Sequence, residues 1–248
     1  NSEMKISKHR HFISVSEYLS RNILMNYPKI DKHIIIAYPG INPSTEVHPN
    51  SLAKFNNLKK ELELNQDDFL FLFVGNDLIK KGFLVIIQAL SILNNNHIHI
   101  TIAGTGKRSK MNIPNVLENN IHFLGVVKDM TNLYQNVDAL IHPTLVDTYG
   151  MAVLEAMSAK LPVIVSNKKY CGFAEHLNDD QALILNNPKD KIELSKKINL
   201  IFSDIEFRKT IAEKGYKKSQ SISWKNTLEK TLLAYNIVLE NNRNDHEG

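Results

Sequence analysis

Apolar runs and amphipathic stretches alternate along the chain. Phe12–Val15 is a short apolar run, and Ser16 then offers an N-cap for a helical pattern from Glu17 to about Tyr27, which Pro28 ends. A second run, His33–Tyr38, closes at Pro39-Gly40. Ile41–Asn50 carries Pro43 and Pro49 and reads as a linker, after which Ser51 can cap a polar helix to about Leu64. Phe69–Val74 is uninterrupted apolar, as expected of a central parallel strand buried on both faces. Within Gly82–Leu93, Phe83, Ile86, Ile87, Leu90 and Leu93 recur at helical spacing. His97–Ala103, which alternates, then Ile121–Leu124, Asp138–His142, Leu161–Val165 and Ala182–Leu185 read as strands. Lys128–Asn136 and Gly150–Ala159 read as helices, and Lys189–Phe202, Glu206–Ser219 and Thr227–Asn241 follow as helices before a polar tail from Asn242.

Strand and helix in regular alternation predict an α/β fold, a Rossmann-like parallel sheet with helices on both faces. Ligands of such sheets sit beyond the carboxyl ends of the strands, which directs attention to the loops after Val74, Ala103, Leu124, His142 and Val165. The 248 residues are 43% hydrophobic, enough for one sizeable core or one core plus part of a second. A formal net charge of +4 is too weak to argue for nucleic acid and fits an anionic small ligand or loose contact with an acidic membrane surface. Cys171 is the single cysteine, so no internal disulfide forms and a reduced compartment is the default. Asn1–Arg10 is polar and basic, without the apolar core of a signal peptide, and Phe69–Val74 and Phe83–Ile87 are far short of a membrane span. The chain begins without Met and enters a strand-like run almost at once, so it is expected to be a piece of something longer.

Three loops carry candidate chemistry. Gly75 to Gly82 joins a buried strand to a helix and places Lys80 and Lys81 just at the helix start, where the dipole disfavours cations by roughly 0.3–1 kcal/mol. Either an anion is neutralised there or the two are solvated surface lysines. Gly104-Thr105-Gly106-Lys107 fails both named phosphate motifs. A Walker A loop needs Gly at Thr101 and Ser or Thr at Arg108, and the dinucleotide fingerprint needs Gly at Ser109. The third loop runs from His142 to Glu155. Gly150 opens a helix whose free N–H groups, around Met151 and Ala152, form a ready anion site. Glu155 lies in an apolar helix and needs partners: a ribose diol, a lysine, or water reached by snorkelling. Cys171 has no His-Asp set placed around it and reads as structural, and the ten histidines show no metal-ligand spacing; a satisfied or surface role suits His97 and His99.

Taken together these loops resemble glycosyltransferase family 4, retaining sugar transferases of the GT-B fold. The likeness runs from about His11 to Tyr235. It rests on the strand, Gly75, loop and Lys81-Gly82, on the acid–seven residues–acid spacing of Asp147 and Glu155, and on Glu155-Ala156-Met157 followed by Leu161-Pro162-Val163. Val74-Gly75-Asn76-Asp77 and Cys171-Gly172-Phe173-Ala174 look like the branch of lipopolysaccharide core glucosyltransferase I; Asn76 stands where most members have Arg, and Asp147 where many have Glu. The resemblance implies residues 1–38 as the end of an acceptor-binding domain, 39–50 as the inter-domain linker, 51–220 as the donor-binding Rossmann-like domain and 221–248 as a crossing helix, opened by Ser223-Trp224, with its tail. It implies donor binding by Gly75, Lys80, Lys81, Gly82, Gly104, Val126, Val127, Asp147, Gly150, Met151, Ala152 and Glu155. In these roles Lys81 and Lys80 neutralise the diphosphate, Asp147 touches the transferred sugar, Glu155 holds the ribose and the main chain at Val126 and Val127 meets the base. Lys81 and Asp147 stand as the catalytic pair. Lys81 and Glu155 are expected to face one crevice.

The activity that the resemblance implies is transfer of a hexose, glucose in this branch, from a nucleotide diphosphate sugar such as UDP-glucose to a lipopolysaccharide or other glycan acceptor with retention. The resemblance implies that no metal takes part, and no nucleic-acid partner is expected. The location expected is the cytoplasm, peripheral to the inner face of the membrane, the state a monomer, and the isolated chain inactive for want of its first domain. Competing readings are a non-catalytic nucleotide-sugar-binding module completed by a partner chain, and another GT-B enzyme such as a UDP-sugar epimerase or a glycogen-type synthase. A nicotinamide dehydrogenase is disfavoured by the failed fingerprint.

Overall fold

The computed structural model describes residues 12–28, 34–41 and 57–244. Strands β1 (Phe12–Ser14) and β2 (Ile34–Ile36) pair in parallel as a small separate sheet, connected through helix α1 (Glu17–Asn26). A six-stranded sheet holds β3 (Phe69–Val74), β4 (Ile98–Ala103), β5 (Ile121–Gly125), β6 (Ala139–His142), β7 (Val163–Ser166) and β8 (Leu183–Leu185), in the order β5-β4-β3-β6-β7-β8, every pair parallel. Helices α2 (Leu58–Glu61), α3 (Phe83–Leu93), α4 (Met130–Gln135), α5 (Met151–Ser158), α6 (Lys191–Ser203), α7 (Ile205–Gln220) and α8 (Trp224–Asn244) complete the fold. The expected Rossmann-like α/β architecture is therefore present. The linker residues 42–50, the Ser51 cap and the last four tail residues lie outside the described residues; α2 starts later than expected, capped by Asn57.

Strand β3 shows why the sheet is closed to water on both sides. Phe69, Phe71 and Phe73 point to one face and pack with α3 and α6, while Leu70 and Leu72 point to the other with α4 and α5. At about 25 cal/mol per Å² of apolar surface, these two layers supply the main stabilisation. From β3 the chain runs outward through α3 to β4; from β6 it runs the other way through α5 to β7. Right-handed crossovers in opposite directions put α3 and α5 on opposite faces and open a crevice between the carboxyl ends of β3 and β6.

The small sheet is tied to this crevice. Ser16 caps α1 by accepting from Leu19 N–H, and its hydroxyl donates to the Thr148 carbonyl at 2.5 Å. The Glu175 carboxylate accepts the N–H groups of Glu17 and Tyr18 at 2.9 and 3.3 Å, satisfying donors that a helix start leaves open. On the far side of the segment, Thr227 of α8 donates to the Tyr38 carbonyl and Tyr149 donates to that of Pro39.

Strand β4 departs from the expected alternation, because both its faces are buried. The polar face carries His99, which meets His122 at 3.2 Å (Nδ1 to Nε2) and Asp68 at 3.7 Å, while Asp68 also takes His97 at 2.8 Å. Burial, and then the neighbouring His99, holds His122 down at about 4, and burial also lowers His99. The unfolded chain takes up a proton on His122 near pH 6.5 and the folded chain near 4, so stability is complete above 6.5 and is lost as pH falls towards 4. The thermal midpoint is expected to drop through that interval, and His122→Gln to flatten the drop; equal slopes for both proteins would refute the assignment.

Candidate active site

The site is assembled where the loops after β3, β4 and β6 meet. Gly82 has φ +83, and a Cβ there would stand 1.9 Å from the Pro143 carbonyl oxygen, so only glycine lets the two loops touch. Around it Leu145 N–H and the Thr144 hydroxyl both donate to the Lys80 carbonyl, at 2.8 and 3.3 Å. Gly104 lies against the Gly75 carbonyl in the same way, and the Asn76 side chain accepts from Thr105 N–H at 2.9 Å. Asn76, where the family pattern has Arg, is a tie between two loops.

Lys81 is carried on this framework to Asp147. Its ammonium donates to Asp147 Oδ2 at 2.5 Å, and the same oxygen meets His142 Nε2 at 2.9 Å. Tyr149 N–H donates to Oδ1 at 3.3 Å. Burial raises the Asp147 carboxyl, but the hydrogen bonds and charges of His142 and Lys81 outweigh that and hold it well below the usual carboxylate range. Asp147 is thus ionised at any working pH. Its backbone is fixed as well, with its N–H donating to Tyr170 and its carbonyl accepting from Gly172.

Helix α5 begins at Gly150 with φ +104 and no side-chain cap, so its first N–H groups, at Met151 and Ala152, are left to the loop side. Cys171 is fully buried behind it, with Sγ donating to the Tyr149 carbonyl and its thiol pushed by burial to about 12, which suits packing and not nucleophilic chemistry. Further along α5, Glu155 accepts a hydrogen bond from Tyr134 at 2.8 Å. Burial and then the Glu155 charge push the Tyr134 hydroxyl far up, so it remains a donor. The pair lines a cavity of about 580 Å³ with Met151, Tyr216, Trp224 and the turn at Gly40.

Lys81 and Asp147 stand at the β3–β6 crevice, and Glu155 and Met151 line the cavity. Lys80 points to solvent, 3.5 Å from Asp77. Val126 is exposed and Val127 buried, after Gly125 at φ +71. His142 and Tyr134 escaped the sequence reading. His142 closes a buried strand and looks like core, and Tyr134 has its partner 21 residues away on another helix. The signal that could have found His142 is its place, as the polar residue ending a strand at the crevice. Among the described residues no cluster of His, Cys, Asp or Glu is placed to hold a metal ion, and no helix is long and apolar enough to cross a membrane.

A parallel six-stranded sheet with an open switch point, a carboxylate–lysine pair over it and an uncapped helix start beside it defines a Rossmann-like domain of the GT-B kind. Residues 54–218 match the family model of glycosyl transferases group 1, and the chain belongs to that family. An uncharacterized glycosyltransferase of Methanocaldococcus jannaschii, MJ1607, is 27% identical over 236 residues, 92% of this chain and 60% of that protein. The lipopolysaccharide glucosyltransferase WaaG of Escherichia coli is 30% identical over 150 residues, 57% of this chain and 39% of WaaG. The structure of Anabaena HepE in complex with UDP and glucose superposes with a TM-score of 0.73 at 18% identity, covering 92% of this chain and 62% of that one. The chain therefore spans less than two thirds of the length of each of these proteins.

Proposed function

We propose that this chain is the donor-binding part of a retaining glycosyltransferase that moves a hexose from a UDP-linked donor to a glycan acceptor such as lipopolysaccharide. One observation carries the reading: a lysine and an ionised aspartate held together at the switch point, beside an uncapped helix start. In this reading Lys81, helped by Lys80 and the Gly150–Ala152 backbone, takes the diphosphate, Asp147 takes the sugar hydroxyls and Glu155 takes the ribose, with Gly75, Gly82 and Gly104 shaping the floor and Val126 and Val127 meeting the base. The bond from the anomeric carbon to the β-phosphate oxygen breaks, and the nucleoside diphosphate leaves with the electron pair. The acceptor hydroxyl oxygen bonds to the anomeric carbon and gives its proton to the departing phosphate oxygen. Stabilising the departing charge is the task of Lys81 and the helix start, which serve where other transferases employ a cation. The names of WaaG, a glucosyltransferase, and of HepE with UDP and glucose favour the uridine donor and glucose.

The rest of the enzyme is assigned to a first domain, of which residues 1–38 are the end. Two features support this. A two-stranded parallel sheet is not stable by itself, and Leu228, Leu232 and Leu239 lie exposed along α8. Calorimetric titration with UDP, GDP and ADP, and then with their sugar conjugates, tests the reading. Saturable binding with preference for UDP is expected, without transfer to an acceptor. Absence of binding to all three would sink the nucleotide-sugar assignment, and preference for another base would sink the UDP one.

A further inference from the structure

His142 makes its case by what it lacks. The ring is 1% exposed, and Nδ1 is buried with no hydrogen-bond partner among the described residues. An unpartnered polar atom in a buried place is a standing cost, which an apolar residue of similar size would avoid. The ring's Nε2 meets Asp147 Oδ2 at 2.9 Å. That oxygen is also the one that holds Lys81, at 2.5 Å. The two partners differ in mobility. His142 is in the sheet, paired with Val165 of β7, whereas Lys81 reaches in from a loop on a long flexible stem.

We infer that Lys81, Asp147 and His142 form an exchangeable ion-pair latch that makes the site favour the intact nucleotide sugar over the free nucleotide, with His142 as the positioning residue that keeps Asp147 in place when Lys81 leaves. The latch rests on the donor-binding reading of the site. In the donor-free protein the Lys81 ammonium is engaged, and a diphosphate has to draw it off a carboxylate that is itself mostly buried. Breaking such a pair leaves a charge short of partners. A nucleoside diphosphate gives Lys81 a replacement and gives Asp147 nothing. A nucleotide sugar brings the same phosphates and, next to them, sugar hydroxyls that donate to Asp147. The exchange is therefore complete for the donor and half complete for the product, which favours release of the product. His142, fixed in the sheet, holds the carboxylate in position for those hydroxyls through the exchange.

The test is calorimetric titration of UDP and UDP-glucose into the 248-residue chain and its variants. Wild type is expected to bind UDP-glucose about tenfold more tightly than UDP, the scale of one charged hydrogen bond. Asp147→Asn frees Lys81, so UDP is expected to bind several-fold more tightly and the preference for UDP-glucose to shrink towards one. His142→Phe leaves the Asp147 Oδ2 atom to Lys81 alone and is expected to weaken both ligands. His142→Gln, which restores an N–H donor, is expected to recover them, and the double variant with Asp147→Asn to behave as Asp147→Asn does. That dependence of one site on the other is not produced by a packing role for His142. If Asp147→Asn weakens UDP or leaves it unchanged, the latch is wrong while nucleotide binding stands. If wild type binds none of UDP, GDP, ADP and their sugar conjugates, the donor-binding reading fails and takes the latch with it. Should Asp147→Asn not fold, the comparison of His142→Phe with His142→Gln decides: equal affinities for the two overturn the proposal.

Discussion

Gly82→Ala is expected to lower the stability of the chain by about 3 kcal/mol or more. Two costs combine. The backbone is at φ +83, a region that costs an L-residue about 1–2 kcal/mol. The new methyl would also meet the Pro143 carbonyl at 1.9 Å, and what it meets is backbone, which cannot swing aside. The β3–α3 and β6–α5 loops would have to part, and with them the bonds from Leu145 and Thr144 to the Lys80 carbonyl. Gly125→Ala separates the two costs, because φ there is +71 and nothing lies within 4 Å of the added carbon. Urea denaturation with an unchanged slope measures both. The difference between the variants is the contact between the loops. If Gly82→Ala costs no more than Gly125→Ala, the loops are not held together at this point, and the placement of Lys81 needs another explanation.

Most strands were legible as compact apolar runs, and β3 is apolar without interruption since both its faces are covered. The order of the strands was not, because no local pattern says that β3 neighbours β6; that follows from crossovers running in opposite directions. Strand β4 misleads for a related reason. Its Ile-His-Ile-Thr alternation suggests a wet face, yet His99 and Thr101 are buried, with His99 held by Asp68 and His122 from outside the strand. At the site, spacing brought Lys81 and Asp147 to attention one by one. It could not bring them together, since they are 66 residues apart and meet where the loops of Gly82 and Pro143 touch. It also placed Lys81 and Glu155 in one crevice. In the structure Lys81 pairs with Asp147 at the carboxyl ends of β3 and β6, and Glu155, with Met151, lines the cavity beside α4 and α5.

That division leads to the second large effect. Glu155→Leu is expected to weaken UDP by more than about 100-fold while leaving inorganic pyrophosphate binding unchanged. Hydrogen bonds to a charged group are worth about 1.5–3 kcal/mol, and a nucleoside diol in the cavity would make two of them to this carboxylate. In the proposed reading the diphosphate is held elsewhere, by Lys81 at the crevice, so a probe without a nucleoside should not register the change. Tyr134→Phe provides the contrast. It removes the hydroxyl that holds Glu155 at 2.8 Å but keeps the carboxylate, so UDP is expected to lose only a few-fold. Leucine also preserves helix propensity and apolar packing on α5, which limits any loss of stability to the hydroxyl left without its partner. Equal losses for UDP and pyrophosphate would mean that the substitution disturbs the crevice as a whole. No loss for UDP would mean that the nucleoside lies outside this cavity, and the ribose role of Glu155 would then have to be given up while that of Lys81 could stand.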